Sequence, residues 1–389
     1  MEGNISILIA GGSLAGMACA LRLGQLGYQP LVLDKSRFPR PKLCGEFLGP
    51  DAFPVLRQLE VWPLVEAQAW GPVEKAYFHN RQGNSVEIRL AWMNRRYPHA
   101  LAMPREQLDQ LLVTEARKRG ILVLEERRLL SPVQAQDGQF RVTAEARGEE
   151  NPPRIETYAA PFLIDATGRN GRLQLESSAA AVADTDRNRE RIGIQCHVRL
   201  PERLPGKDLH MFLFPGGYGG IQPIGEDMVN VCMLAGAPLG KLLRLDFPEF
   251  VTGTIGQNPV AARMLKGGER VGPFNTTADL NLNWQRRHAH RDLIRIGDAL
   301  ITVDPFTGSG MAHALQTGVL AADCLHRGIQ SGWNYSRIRQ NYRQQYAHTF
   351  KTRLRLLRIF RPVLDSPGLQ RMLWPLLSPA LPTLTRLFR

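Results

Sequence analysis

Residues 5–16 read Ile5-Ser6-Ile7-Leu8-Ile9-Ala10-Gly11-Gly12-Ser13-Leu14-Ala15-Gly16. A short apolar run meets a glycine turn, and an Ala- and Leu-rich helical pattern follows from Ala15 to Leu26. Pro30 to Leu33 is a second apolar run, and it ends at Asp34. Strand, glycine turn, helix and strand make a βαβ unit. The turn fits G-x-G-x-x-G with Ser13 at the second glycine position. Such a turn needs a tight bend at Gly11, a small residue at 13 where backbone approaches a pyrophosphate, and close helix packing at Gly16. Asp34 follows at the distance where a carboxylate accepts ribose hydroxyls. Gly11, Ser13, Leu14, Ala15, Gly16, Asp34 and the adjoining Lys35 are therefore the candidate contacts to a dinucleotide. A nucleophile elbow at Ser13 would need an earlier strand and an oxyanion loop, for which little chain precedes it.

Working outward, residues 37–54 are loop-like, with four prolines around Cys44-Gly45. Met103 to Arg119 is expected as a helix, and Ile121 to Leu130, Phe140 to Ala146 and Phe162 to Ala166 as strands. Arg147 to Arg154 is expected as a hairpin loop. From about Arg191 to Asn275 the pattern changes to short runs broken by Gly and Pro, namely Ile192 to Leu200, Leu209 to Phe214 and Met228 to Leu234. These predict an antiparallel sheet in a second domain. Leu293 to Ile296 returns to a parallel-type strand, followed by Gly297-Asp298 and a helix from Gly310 to about Gly328.

That last region holds a second constellation, Gly297-Asp298-Ala299 followed by Asp304-Pro305-Phe306-Thr307-Gly308-Ser309-Gly310-Met311. A buried strand ending in Gly-Asp places a carboxylate at the sheet's C-terminal edge, where α/β folds bind ligands. The glycine-rich turn then aims backbone N–H groups, at a helix N-terminus, toward an anion or electron-rich ring atoms.

With these residues in view, the chain resembles the flavoproteins of the para-hydroxybenzoate hydroxylase fold, and among them the geranylgeranyl reductase family. The resemblance spans roughly positions 5–325 and rests on five motifs in order. The glycine turn with Asp34 is similar to the family's FAD pyrophosphate turn and ribose acid. Pro39-Arg40-Pro41-Lys42-Leu43-Cys44-Gly45 is similar to its Pro-Arg-x-Lys-x-Cys-Gly loop beside the flavin, which implies Arg40 and Cys44 as flavin-side residues. Arg105-Glu106-Gln107-Leu108-Asp109 is similar to a helix start whose arginine contacts FAD. In the family the strand after that helix offers backbone to the adenine, which would fall near Leu129. Asp165-Ala166-Thr167-Gly168-Arg169 stands where the hydroxylases carry Ala-Asp-Gly. In the fifth motif Asp298 would hold the ribityl or pyrophosphate region, and Gly308, Gly310 and Met311 would face the isoalloxazine.

The resemblance implies an α/β fold: a Rossmann-like FAD-binding domain, an inserted antiparallel β-sheet substrate domain and a C-terminal helical tail. The first is expected over 1–75, 100–180 and 285–330, the second over 76–99 and 181–284, and the tail over 331–389. Two departures stand out. Thr167 replaces an Asp that engages FAD and NAD(P)H in the hydroxylases. His210-Met211-Phe212-Leu213-Phe214-Pro215 keeps only Phe214 and Pro215 of the reductases' Tyr-x-Trp-x-Phe-Pro substrate motif.

Cys44 and His210 are the candidate catalytic residues, and Phe212, Phe214 and Pro215 the candidate substrate contacts. Each has a plainer alternative: a packed loop thiol for Cys44, a hydrogen-bonded core histidine for His210, and core packing for the two rings. His288 and His290, among Arg286, Arg287 and Arg291, fit a solvated loop better than metal ligands. No metal is expected.

The chain has 389 residues, 43% hydrophobic and 22% charged, with net charge +13. Length and composition suit two globular domains and exclude collagen, coiled coil and disorder. The charge is uneven, since residues 351–389 carry eight Lys and Arg against Asp365 alone. Ile338, Tyr342, Tyr346, Phe350, Leu354 and Leu357, leading into that stretch, recur at helical spacing with arginines between them, and Pro362 is expected to stop the helix. Packing on the body and lying on an anionic membrane are the two readings of this tail. With no accompanying motif, nucleic acid is not expected as a partner. The five scattered cysteines suggest neither a disulfide framework nor zinc. An N-terminus without a charged n-region points to a cytoplasmic protein, with peripheral membrane contact through the tail.

The expected activity, implied by the resemblance, is reduction of a C=C bond in a small apolar, isoprenoid-like substrate by reduced FAD. Hydroxylation of an aromatic or polyketide substrate by a flavin monooxygenase is the alternative, and a non-enzymatic lipid carrier of the same fold a third. None of the six tryptophans forms the Trp-x-Trp of halogenases, which argues against that branch. There is no second dinucleotide motif, so NAD(P)H would bind transiently or a separate electron-donor protein would serve as reductant.

Overall fold

The computed structural model describes residues 6–130, 133–147, 153–169, 173, 175, 191–277, 292–304, 306 and 308–365, the last fifteen of these by backbone alone. His288, His290 and the arginines around them lie outside these residues, as does most of the expected hairpin loop after Arg147.

Ile7–Ala10 forms strand β1, Leu14–Gln25 helix α1 and Leu31–Leu33 strand β2. Every residue of β1 and β2 is buried, as in a parallel sheet covered on both faces. Lys75–His79 (β3) and Ser85–Arg89 (β4) form a hairpin, and helix α2 spans Arg105–Lys118. The expected single strand 121–130 is instead two, Leu122–Leu124 (β5) and Arg127–Leu129 (β6). Glu126 between them has φ 58°, a left-handed kink that sends β6 away from the parallel sheet. β6 pairs with Gln139–Ala146 (β7), which pairs with Arg154–Ala160 (β8) in a separate antiparallel sheet. Phe162–Asp165 (β9) then returns beside β1.

Arg191–Arg199 (β10), Leu209–Phe214 (β11), Gly217–Pro223 (β12), Met228–Gly236 (β13) and Glu269–Thr277 (β14) follow. The chain closes with Ile294–Arg295 (β15), helix α3 (Gly310–Gln330) and helix α4 (Tyr335–Asp365). Two principal sheets result. The parallel one runs β15-β9-β1-β2-β5, so strands far apart in the chain share it. The larger runs β14-β10-β13-β12-β11-β3-β4 and is antiparallel except where β11 lies parallel to β3. The protein is thus a mixed α/β fold with a Rossmann-like parallel core and separate antiparallel sheets.

Each sheet has its own apolar core. Around the parallel sheet α1 packs directly on α3, where a Cβ on Gly318 would stand 2.3 Å from the Ala15 carbonyl oxygen. On the larger sheet, Ile194, Cys196 and Val198 of β10, Val229, Val231 and Met233 of β13, and Phe212 and Phe214 of β11 pack under Phe250 and Ile255. The alternate residues Met211, Leu213, Tyr218 and Leu234 cover the opposite face, with Phe78 and Phe306. Strand parity therefore separates a filled outer face from an inner face turned to the Asp304 loop.

Helix α4 packs on the body. Ile338, Tyr342, Tyr346 and Phe350, spaced by four, are all buried. Tyr335 Oη donates to the Leu163 carbonyl at 2.6 Å and accepts from Ile294 N–H at 2.8 Å, and Tyr342 Oη donates to the Arg295 carbonyl at 3.0 Å. These bonds tie α4 to β9 and β15. The helix does not stop at Pro362 but continues to Asp365. Proline removes one i to i−4 bond, which a helix near its end can lose without terminating.

Candidate active site between the two sheets

Strand β1 delivers the chain to Gly11, whose φ is 109° and whose N–H donates to the Leu33 carbonyl at 2.7 Å. A Cβ here would lie 2.3 Å from the Ala166 carbonyl oxygen, and one on Gly16 would lie 1.8 Å from the Gly11 oxygen. Both positions are closed to side chains, which keeps the turn tight and α1 against it. Ser13 is the N-cap of α1 but makes no side-chain cap, and the first turn holds no acid. Its Oγ instead accepts from Lys42 Nζ at 3.0 Å and Arg105 Nη2 at 2.8 Å and donates to Asp109 Oδ2 at 3.2 Å. Leu14 and Ala15 are buried behind this turn.

Two cations thus converge on a helix N-terminus whose N–H groups lack a side-chain cap, the arrangement that favours a phosphate. Arg105 is buried and held by Asp109, with Nη2 2.9 Å from both carboxylate oxygens. Burial, and next the charge of Arg105, push the Lys42 ammonium down to about 8. A pyrophosphate there would relieve that cost. Arg40 is 3.7 Å from Asp34, and its buried Nε has no hydrogen-bond partner among the described residues. Asp34 ends β2, buried, accepting the N–H of Gly12 at 2.7 Å and of Ser36 at 2.8 Å. Lys35 beside it is exposed. The set, with an orphaned guanidinium nitrogen, a shielded carboxylate and a cradle closed to any Cβ, fits a dinucleotide cofactor.

Beyond this end the site widens. Asp298 lies in the turn Gly297–Ala299, 3.6 Å from Arg169. Gly297 has φ 57°, and a Cβ on it would meet that of Ala15 at 2.9 Å, so this turn is pressed against α1. Gly308, at φ 62°, leaves no room against the Phe47 ring, and Gly310 and Met311 begin α3. Asp304 is buried, accepting from Phe306 N–H at 3.1 Å and from the Tyr218 hydroxyl. This ties the glycine loop to the inner face of the larger sheet.

The Cys44 loop approaches from the other side. Asn230 Nδ2 donates to the Cys44 carbonyl at 3.0 Å, and Glu46 N–H lies 3.3 Å from Cys44 Sγ. Burial pushes the Cys44 thiol up, partly countered by Arg105, so it stays protonated at neutral pH. Glu46 is buried at φ 55°, and its carboxylate accepts from Arg105 N–H at 3.2 Å and pairs with His197 Nε2 at 2.9 Å. His197 also lines a groove of about 650 Å³ between helices Trp62–Gln68 and α2. The hydrogen bond that His197 donates to Glu46, more than burial, decides its pKa, which is raised.

Not every expected residue meets here. His210 is on the outer side of β11, with Nδ1 3.0 Å from His79 Nε2 and its ring stacked on Tyr77. Burial drives both histidines down to about 4, which keeps them neutral. Phe212 and Phe214 share that outer face inside the core, and Pro215 is exposed at the turn. Leu129 is on β6 and packs, half-buried, in the core behind β1 and β2, while Arg127 N–H two residues earlier donates to the Asp34 carbonyl at 2.8 Å. The residues that do face the glycine loop are Met211, Leu213 and Tyr218. Sequence reasoning also passed over Lys42, Glu46, His197 and Asn230. A polar residue between apolar neighbours, as at His197 and Asn230, was the available signal.

A family model described as an FAD binding domain matches residues 4–234. A menaquinone reductase of Mycolicibacterium smegmatis is 24% identical over 84% of this chain and 78% of its own length. A digeranylgeranylglycerophospholipid reductase of Methanothermobacter thermautotrophicus is 23% identical over 85% of this chain and 79% of its own. The crystal structure of CmlS, a flavin-dependent halogenase, superposes with a TM-score of 0.71 at 23% identity, covering 90% of this chain and 63% of that one.

Proposed function

Because the chain belongs to the FAD-binding domain family, we propose that this FAD-dependent oxidoreductase reduces a carbon-carbon double bond of an apolar, isoprenoid-like substrate. The observation that carries the reading is the inner sheet face, where Met211, Leu213, Tyr218, Leu234 and Phe306 form an apolar cluster beside Asp304. Reductases named for menaquinone and for a geranylgeranyl phospholipid among its relatives support it.

FAD would supply the redox equivalents of the reaction. Lys42, Arg40 and Arg105 with the α1 N-terminus would hold its pyrophosphate, Asp34 a ribose, and Asp298 the ribityl region. Gly308, Gly310 and Met311 would lie along its ring system, with Cys44 opposite. The protein's own contribution is orientation, exclusion of water by the apolar face, and a thiol that retains its proton at Sγ. NAD(P)H or an electron-donor protein would act as reductant. The basic residues after position 350 would give peripheral contact with an anionic membrane, which a lipid substrate would favour.

Anaerobic single turnover of the reduced holoenzyme with isoprenoid alkenes tests the reading. The expected product carries two added hydrogens, read by mass spectrometry, with reoxidised flavin in equal amount. The likeness to a halogenase fold favours one second reading, a monooxygenase-type reaction. Oxygen consumed in proportion to an aromatic or polyketide substrate, with no anaerobic turnover of alkenes, would establish that one instead.

A further inference from the structure

A chain of three amides crosses the inner face of the larger sheet. Asn275 on β14 donates from Nδ2 to Gln195 Oε1 on β10 at 2.7 Å. Gln195 Nε2 donates to Asn230 Oδ1 on β13 at 2.8 Å, and Asn230 Nδ2 donates to the Cys44 carbonyl at 3.0 Å. Gln195 and Asn230 are buried among apolar strand residues. Amides are poor core residues unless their groups are paired, and aligned amides polarise one another. The strand register of the sheet brings all three into line, and the chain ends on the loop rather than within the sheet.

A second arm starts two residues along the same strand. His197 holds Glu46, whose N–H reaches Cys44 Sγ and whose other carboxylate oxygen accepts Arg105 N–H. Glu46 has a left-handed φ that a non-glycine residue keeps only where its contacts hold it. The first arm therefore holds the carbonyl of Cys44 and the second its thiol.

We propose that Gln195, Asn230 and Asn275, together with the His197–Glu46 pair, are positioning residues that fix Cys44 against the reacting face. The importance of that position rests on the reading of Cys44 as a flavin-side residue. The amide arm carries no charge, and its Gln195 and Asn230 are buried. The ionic arm opens through His197 onto the groove beside α2, where Glu46 and Glu106 are the charges that act on the imidazole, with Glu115 and Lys118 farther along the lining. Of the two arms, only the ionic one responds to pH near neutrality.

The test is iodoacetamide labelling of the full-length protein, read peptide by peptide so that Cys232, the other half-buried thiol, is resolved. Asn230→Ala should speed Cys44 labelling at pH 7 by about fivefold, the scale of one net hydrogen bond, and Asn275→Ala by about twofold. Gln222→Ala removes a buried amide on the same sheet that donates to the Lys207 carbonyl, and it should leave the rate unchanged. The ratio of the His197→Gln rate to wild type should exceed one and be larger at about pH 6 than at about pH 9, because the imidazolium adds its charge to the Glu46 hydrogen bond and the neutral ring does not. Wild-type rates in Asn230→Ala and Asn275→Ala, equal acceleration by Gln222→Ala, or a pH-independent ratio would overturn the proposal. Should Asn230→Ala not fold, Asn275→Ala at the sheet edge and His197→Gln decide it. Purified protein without affinity for FAD would instead defeat the functional reading while leaving these rates meaningful.

Discussion

Lys42 Nζ stands 3.0 Å from Ser13 Oγ, within reach of the fields of Arg105, Asp109, Asp298 and Arg40. A half-buried ammonium at the mouth of a helix N-terminus, with a second cation on the same hydroxyl, is a seat for an anion. The ordinary lysine pKa of 10.5 is lowered to about 8 there, by burial first and Arg105 second.

An anionic pyrophosphate beside Lys42 favours its charged form, so FAD binding should take up a proton once the pH exceeds about 8. Affinity should be flat below that pH and fall by up to about tenfold per unit above it. Lys42→Met should bind at least about tenfold more weakly at pH 7, with the pH dependence gone. Flavin-fluorescence titrations of the apoprotein from pH 7 to about 9.5 measure both. A wild-type affinity that stays flat across the range would show that Lys42 does not meet the cofactor.

Gly16→Ala should abolish FAD binding and destabilise the fold by about 1–3 kcal/mol, the cost of an overpacked contact. Its Cβ would lie 1.8 Å from backbone that cannot move without opening the turn. Gly24→Ala on the same helix meets only the end of the Ile121 side chain, at 3.2 Å, and should be neutral or stabilising. Thermal melts with bound-flavin absorbance distinguish the two. Retention of flavin by Gly16→Ala would refute the packing requirement.

His197 bears on stability through pH. The hydrogen bond to Glu46 raises its pKa above the ordinary 6.5, so protonation favours the folded state. The contribution is fully present below the unfolded pKa and disappears as pH rises through the folded one. The stability difference between wild type and His197→Gln, from urea melts, should therefore be largest at or below about pH 6 and shrink toward pH 9. A difference that grows with pH would reverse the assignment.

Tyr342→Phe should cost about 1–3 kcal/mol, because the buried Arg295 carbonyl loses its donor with little change in packing. Denaturant melts measure it. A cost near zero would mean that this hydrogen bond adds nothing to the packing of α4 on the body.

The half of the fold built on the parallel sheet was largely legible because its signals are local. The glycine turn, the apolar runs around it and Asp34 lie within one βαβ unit, and Gly297-Asp298 ends a strand of the same sheet. The Cys44 clamp was not legible in the same way. Glu46 meets His197 across 151 positions and Asn230 meets Cys44 across 186, distances at which no periodicity operates. The split of 121–130 into two strands turned on one residue, Glu126, whose left-handed backbone no propensity marks.

Period two along β11 puts His210, Phe212 and Phe214 on one face and Met211 and Leu213 on the other, and that much is written in the sequence. Both faces are apolar, so hydrophobicity cannot say which one meets the glycine loop. Packing decides it: Phe250 and Ile255 close over Phe212 and Phe214, and Phe306 and Tyr218 turn Met211 and Leu213 toward the site. The sequence by itself determined a tight glycine turn and the acid that closes on it, because backbone sterics at Gly11 and Gly16 are local. Only the tertiary structure decided which side of the second sheet faces that turn, because the choice depends on burying one of two nearly equal surfaces.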